Sequence, residues 1–271
     1  MPDPLYDYAR ESFTAGGITH DIYRAGAGPA VIVIAEIPGI TPKVVAFADR
    51  VREMGCTAVL PHLFGTPGKP ASGPYAIETL AKICVSREFS SLALGRTGPV
   101  VSWLRALASK EHERCGGPGV GVVGMCYTGG FGLAMAIDDS VIAPVLSQPS
   151  LPFPVTKSRR SDIQVSDADW ARIQQRADQD GLCVMGLRFT GDKIVPAERF
   201  RAIKAKLGDR FIAVEIDSSP GNPHGHPASA HSVLTEHLDD RPGTPTRAAL
   251  DGVLEFFRGR LLSAETAPAD A

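Results

Sequence analysis

The chain has 271 residues, 44% of them hydrophobic, enough to bury one sizeable core, and α/β folds of this length are commonly single domains. Its 28 basic and 30 acidic residues leave a formal net charge of -2 with no long basic run, which argues against nucleic acid or an anionic membrane as partner. The five cysteines (Cys56, Cys84, Cys115, Cys126, Cys183) are odd in number, widely spaced and free of any CxxC pair, so a disulfide framework or zinc site is disfavoured and a reducing compartment is expected. The acidic, proline-bearing N-terminus lacks a basic-then-apolar signal pattern, and no apolar run reaches about 18 residues, so the expected location is cytoplasmic.

Residues 1–29 are mixed, with Ile18 to Tyr23 alternating well enough for an edge strand before the turn Gly26-Ala27-Gly28-Pro29. Ala30 to Ala35 is a continuous apolar run of the kind found in strands buried on both faces, and it ends at Glu36, Ile37, Pro38 and Gly39. Thr41 and Pro42 read as a cap and first helical position, opening an amphipathic helix that stops near Gly55. Cys56 to Leu60 predicts the next strand, with His62 after it either as a catalytic candidate or, more commonly for a strand-end histidine, satisfied by backbone. Ala76 to Phe89 and Leu92 to Lys110 read as helical, and a polar stretch, Glu111 to Pro118, leads onward.

Gly119 to Ala136 is the stretch around which the chain is organised. The β-branched run Val120, Val122, Val123 stops at Gly124, turns over Cys126, and continues past Gly129 and Gly130 into small helix-compatible residues. Strand, sharp turn and helix place a thiol above the carboxyl end of a sheet, near backbone N–H groups that favour negative charge. That is the pattern of a nucleophile elbow with Cys in place of Ser. The residues alone leave open a structural cysteine in a Rossmann-like unit. The glycine spacing of a dinucleotide motif, Gly119, Gly121, Gly124, falls inside the strand rather than after it.

Val141 to Leu146 predicts a further buried strand, and Ser147 to Val165 a loop that either covers a site or runs over the surface. Ser166 caps a helix through Ala177, and Cys183 to Thr190 is a strand delivering Asp192 at its carboxyl end. A short helix around Phe200 and Ile203, the strand Phe211 to Ile216, a long loop with His224, His226 and His231, and a helix over 245–262 complete one domain, 1–262. Residues 263–271 read as a flexible tail. Strands alternating with helices predict a mainly parallel sheet covered on both faces.

Three segments make the chain resemble the dienelactone hydrolase family: 34–39 (Ile-Ala-Glu-Ile-Pro-Gly) with the following helix and 60–64, the elbow 124–130 (Gly-Met-Cys-Tyr-Thr-Gly-Gly), and 191–196 (Gly-Asp-Lys-Ile-Val-Pro). The resemblance implies an α/β-hydrolase fold and a covalent acyl-enzyme on Cys126. It implies that Asp192 orients a histidine, that Glu36 interacts with the thiol in the resting site, and that the backbone N–H groups of Ile37 and Tyr127 form the oxyanion hole. It also implies a small ester or lactone substrate, with no metal or organic cofactor required. His231, which begins His-Ser-Val after Ala230, resembles the family's Gly-His-Ser-Phe stretch and is assigned the triad role over His224 and His226.

Two positions depart from the family pattern. Thr128 stands two residues after the cysteine, where glycine is usual. Thr235 stands four residues after His231, where dienelactone-cleaving members place an arginine for the substrate carboxylate; Arg87, Arg159 and Arg160 either serve instead or, on the simpler reading, are surface arginines, so dienelactone itself is not the expected substrate. The other readings are a binding or regulatory protein that keeps the elbow without turnover, and a thiol-redox protein using Cys126. Monomer and homo-oligomer are both open.

Overall fold

Alternation within the apolar runs decides the layering of the molecule. The computed structural model describes residues 3–90 and 98–263, the side chains at 84, 85, 87 and 90 apart. The chain runs β1 (Ala9–Ala15), β2 (Ile18–Gly26), β3 (Ala30–Ile34), α1 (Pro42–Glu53), β4 (Thr57–Pro61), α2 (Gly73–Val85), α3 (Arg87–Ser90) and α4 (Pro99–Cys115). It continues through β5 (Val120–Met125), α5 (Phe131–Met135), β6 (Val141–Ser147), α6 (Lys157–Ser161), α7 (Asp167–Gln179), β7 (Val184–Phe189), α8 (Ala197–Leu207), β8 (Phe211–Ile216) and α9 (Pro245–Leu261). Residues 92–97 of an expected helix, and all of the expected tail except Ser263, lie outside the described residues.

The strands form one sheet in the order β1-β2-β4-β3-β5-β6-β7-β8. β1, β2 and β4 pair antiparallel, and every pair from β4–β3 to β7–β8 is parallel. In β3, Ile32 and Ile34 face the core shared with α4, α5, α7 and α8, while Val31 and Val33 face the core shared with α1 and α9. A strand buried on both faces therefore reads as a continuous apolar run, as its sequence does. Gly121 keeps β5 close to α9, since a Cβ there would lie 3.0 Å from the Phe257 ring.

The helix expected over 76–89 runs Gly73–Val85 and breaks at Ser86, whose backbone is extended, before α3; the one expected over 92–110 takes Gly98 as its cap, and α6 lies within the expected loop 147–165. Two further differences have clear local reasons. Ile18 to Tyr23 is not the edge: β1 lies outside β2, joined by Gly16 and Gly17, whose φ of 57° and 79° suit a tight two-residue hairpin turn. The polar stretch after Lys110 continues α4 to Cys115, because Glu111 is buried and pairs with Arg24 of β2 at 2.8 Å. Thr41 and Ser166 cap α1 and α7 as expected, accepting from Val44 N and Asp169 N.

Candidate active site

After β3 the chain moves outward to β4 and then returns to place β5 on the opposite side of β3, so the carboxyl ends of β3 and β5 flank the point where the strand order reverses. Such a crevice is where open α/β sheets bind ligands. Glu36 and Ile37 leave β3 there and Cys126 and Tyr127 leave β5, with Ile34 and Gly124 in register across the pair.

Cys126 has φ 53°, a left-handed conformation that costs a non-glycine residue on the order of 1–2 kcal/mol. The turn is tight enough to demand its glycines: a Cβ on Gly124 would lie 2.2 Å from the Thr128 carbonyl, and one on Gly129 would lie 2.5 Å from Pro149 Cα. Thr128, the departure from the family pattern, is fully buried and serves as a tie. Its hydroxyl accepts from Met125 N at 3.0 Å and lies 3.1 and 3.2 Å from the carbonyls of Ile34 and Ala35, joining the elbow to the end of β3.

Asp192, at the end of β7, accepts from Ile194 N through one oxygen and from His231 Nδ1 through the other, at 2.6 Å. A carboxylate acceptor fixes the proton of the neutral ring on Nδ1 and leaves Nε2 to face Ser150 Oγ at 3.4 Å. Ser150 Oγ is in turn 3.5 Å from Cys126 Sγ. Burial works against protonation of His231, but its hydrogen bonds to Asp192 and to Cys126 outweigh it and push the imidazole pKa up to about 11. His224 is exposed, and His226 packs its ring on Phe189 at 5.1 Å. Of the three histidines in the loop, His231 is therefore the one that the structure brings to Asp192 and the elbow.

Glu36 is buried, and both of its oxygens are engaged by neutral donors. Ser232 Oγ donates to Oε2 at 2.6 Å, Gln148 Nε2 donates to the same atom at 3.2 Å, and Thr235 Oγ1 donates to Oε1. Burial raises its pKa, and the two hydroxyl donors oppose that rise. Among the described residues no hydrogen bond joins Glu36 to Cys126; in this arrangement its partners lie on the histidine loop and on the segment after β6.

That segment, expected as a lid or a surface loop, is buried from Ser147 to Pro152. Ser150 N donates to the Cys126 carbonyl at 2.9 Å. Arg199 of α8, fully buried, donates to the carbonyls of Pro149, Pro152, Arg159 and Asp162 at 2.5 to 3.0 Å. Burial lowers its pKa to about 10, which leaves it charged at neutral pH. Sequence reasoning missed Gln148, Ser150, Arg199 and His237. His237 Nδ1 accepts the N–H groups of both His231 and Ser232. Only its spacing six residues after His231 marked it, whereas the others act across strands and left no local signal.

Arg160 is paired with Glu198, and Arg159 is exposed. His62 is bonded to the Gly65 carbonyl at 3.0 Å. A cavity of about 350 Å³ is lined among others by Phe64, Lys69, Tyr75, Ile83 and Phe89, and the Phe89 ring lies edge-on to Tyr127 of the elbow at 6.0 Å. Among the described residues no three His, Cys, Asp or Glu side chains are grouped to hold a metal ion, and no helix is long and apolar enough to cross a membrane.

A profile of the dienelactone hydrolase family matches residues 21–258. The chain belongs to that family. Among solved structures, a dienelactone hydrolase-like promiscuous phosphotriesterase from metagenomic libraries superposes with TM-score 0.60 at 16% identity, covering 94% of this chain and 98% of its own. A cold-adapted esterase from an Arctic intertidal metagenomic library gives TM-score 0.57 at 14% identity, covering 94% of this chain and 93% of its own. At these identities the likeness is one of fold, the α/β-hydrolase fold of the dienelactone hydrolase-like proteins. A search of curated proteins gives no significant match.

Proposed function

We propose that this member of the dienelactone hydrolase family hydrolyses a small ester or lactone through an acyl-enzyme on Cys126. The observation that carries the reading is a histidine fixed by a buried carboxylate beside a thiol on a strained strand-to-helix turn, with Ser150 Oγ within 3.5 Å of both.

In the proposed cycle His231 holds the proton of the Cys126 thiol, and the sulfur attacks the substrate carbonyl. The N–H groups of Ile37 and Tyr127, at the ends of neighbouring strands, receive the developing oxyanion. His231 protonates the leaving alkoxide and then takes a proton from the water that cleaves the thioester. Asp192 keeps the ring in register throughout. As substrate arrives, Glu36 shares the thiol proton on its way to His231, once the Ser232 and Thr235 hydroxyls release the carboxylate. Thr235 carries no charge for a substrate carboxylate, so neutral esters and lactones are the favoured class.

The test is hydrolysis of a short activated aryl ester and a small lactone panel by wild type and Cys126→Ala, with intact mass to trap an acyl adduct. We expect a burst and an adduct in the wild type, and a loss of turnover of roughly 10,000-fold or more in the variant. Turnover that survives the substitution would remove Cys126 from the mechanism.

A further inference from the structure

Asp192 can orient His231 only while its carboxylate stays in place, yet it sits on a turn beyond the last residue of β7. Its bonds within the turn are local: its N–H donates to the Phe189 carbonyl at 3.3 Å, and its Oδ1 accepts from Ile194 N at 2.9 Å. Just before it, Thr190 N donates to the Ile216 carbonyl at 2.8 Å and Gly191 N to Ser218 Oγ at 2.9 Å. These bonds tie the entry of the turn to the end of β8.

Arg188 ties the two sides of the turn to each other. It is a charge inside the apolar run of β7, where Leu187 and Phe189 face the core shared with α1 and α9. Alternation along the strand sends Arg188 to the opposite face, and its guanidinium lies 5.8 Å from the centre of the Phe200 ring of α8. The residue is buried. Nη2 donates to the Thr190 carbonyl at 3.0 Å and Nε donates to the Val195 carbonyl at 2.9 Å. Between those two carbonyls lie Gly191, Asp192, Lys193 and Ile194. The remaining arm, Nη1, pairs with Glu215, the register partner of Arg188 on β8. A planar guanidinium presents its N–H groups in a rigid fork, so two carbonyls gripped by one fork are kept at one separation.

We propose that Arg188 is a positioning residue, a staple that closes the 190–195 turn and so holds the Asp192 carboxylate against His231 Nδ1. The proposal rests on the reading of Cys126, His231 and Asp192 as the reacting set. Among the described residues the hydrogen bonds of Arg188 go to none of the three, so it acts through the turn. The 2.6 Å bond from His231 Nδ1 to Asp192 sets the tautomer of the ring and favours its protonated form. A turn released at its exit lets the carboxylate drift, and the ring then loses orientation and charge together. The other charged or titratable groups around the pair are Cys126, Glu36 and His237 near His231, and Arg199 near Asp192. Substitution at 188 leaves each of them in the chain.

The test compares wild type, Arg188→Met, Arg188→Lys, Glu215→Gln and Cys126→Ala. For Arg188→Met we expect kcat on a short activated aryl ester to fall about 10- to 100-fold with KM within about twofold. The Nδ1 proton of His231, shifted far downfield in the proton NMR spectrum by its short bond to a carboxylate, should move upfield and broaden as that bond loosens. Arg188→Lys puts one ammonium in place of the fork and should recover only part of both. Glu215→Gln keeps an acceptor for Nη1 and leaves the staple closed, so its kcat should stay within about twofold of wild type. A folded Arg188→Met with wild-type kcat and an unmoved Nδ1 signal would overturn the proposal; if that variant does not fold, the same result in Arg188→Lys overturns it. A loss in Glu215→Gln as deep as in the Arg188 variants would also overturn it, by assigning the effect to the ion pair between β7 and β8. Hydrolysis that persists in Cys126→Ala would instead sink the nucleophile reading, while the Nδ1 signal, which needs no turnover, still decides whether Arg188 holds Asp192.

Discussion

His237 shapes the main chain that carries His231. Its Nδ1 accepts from His231 N at 3.3 Å and from Ser232 N at 3.2 Å, so the ring is neutral with its proton on Nε2. Burial first, and then the positive charge of His231, hold its pKa below the ordinary histidine value. The unfolded chain therefore binds this proton more readily than the folded one. The stabilisation is complete above about pH 6.5 and is lost as the pH falls through that value toward the folded pKa. We expect wild-type Tm to drop between pH 7.5 and 5, and His237→Asn, whose amide oxygen accepts without titrating, to drop less. Equal slopes would assign the acid sensitivity to another group. His237→Ala, which strips two N–H groups of their acceptor, should cost about 1–3 kcal/mol at neutral pH in denaturant titration.

At the scale of elements, the segment between β6 and α7 is held as a strap by one cation. Among the described residues Arg199 donates to four carbonyls and forms no ion pair, while Asp162 and Asp192 favour its charge from nearby, so its removal chiefly strands buried acceptors. Arg199→Met is expected to lower stability on the order of 2–4 kcal/mol and to open residues 153–162 to limited proteolysis. Esterase activity should fall with it, since the strap carries Ser150. A variant that keeps the strap intact to protease would show that the contacts from Ser150 to the elbow suffice. Gly129→Ala attacks the same junction from the other side, because the new methyl group would sit 2.5 Å from Pro149 Cα and push the strap off the elbow. Its expected signature is lost turnover with the sheet retained by circular dichroism.

Over the whole molecule, the site is gathered from the ends of β3, β5, β6, β7 and β8, so residues as distant as Glu36 and Ser232 share one hydrogen bond. Loss of activity and loss of far-UV ellipticity in urea should therefore coincide, as a cooperative transition requires; an earlier loss of activity would mean that the loops part before the sheet. The same dispersal explains what could be read from the chain. Strands β3 and β5 were legible because burial on both faces leaves an unbroken apolar run. Glu36, Cys126 and Asp192 were legible as positions because they end such runs. β1 was hidden because it is a half-exposed edge with mostly polar residues, although Gly16 and Gly17 marked its turn. Ser150, Gln148 and Arg199 left no trace, since their partners are chosen by packing between segments far apart in sequence.

The tie made by Thr128 also supplies a natural probe. Met125 N–H donates to a side-chain hydroxyl of the turn, so its exchange with deuterium reports on the elbow, while the amides of Val122 and Val123, further back in the strand, report on the sheet. An isotope clock is thus written into adjacent residues. If Met125 exchanges ahead of them, the turn breathes on its own. If all three exchange together, it opens only when the sheet does.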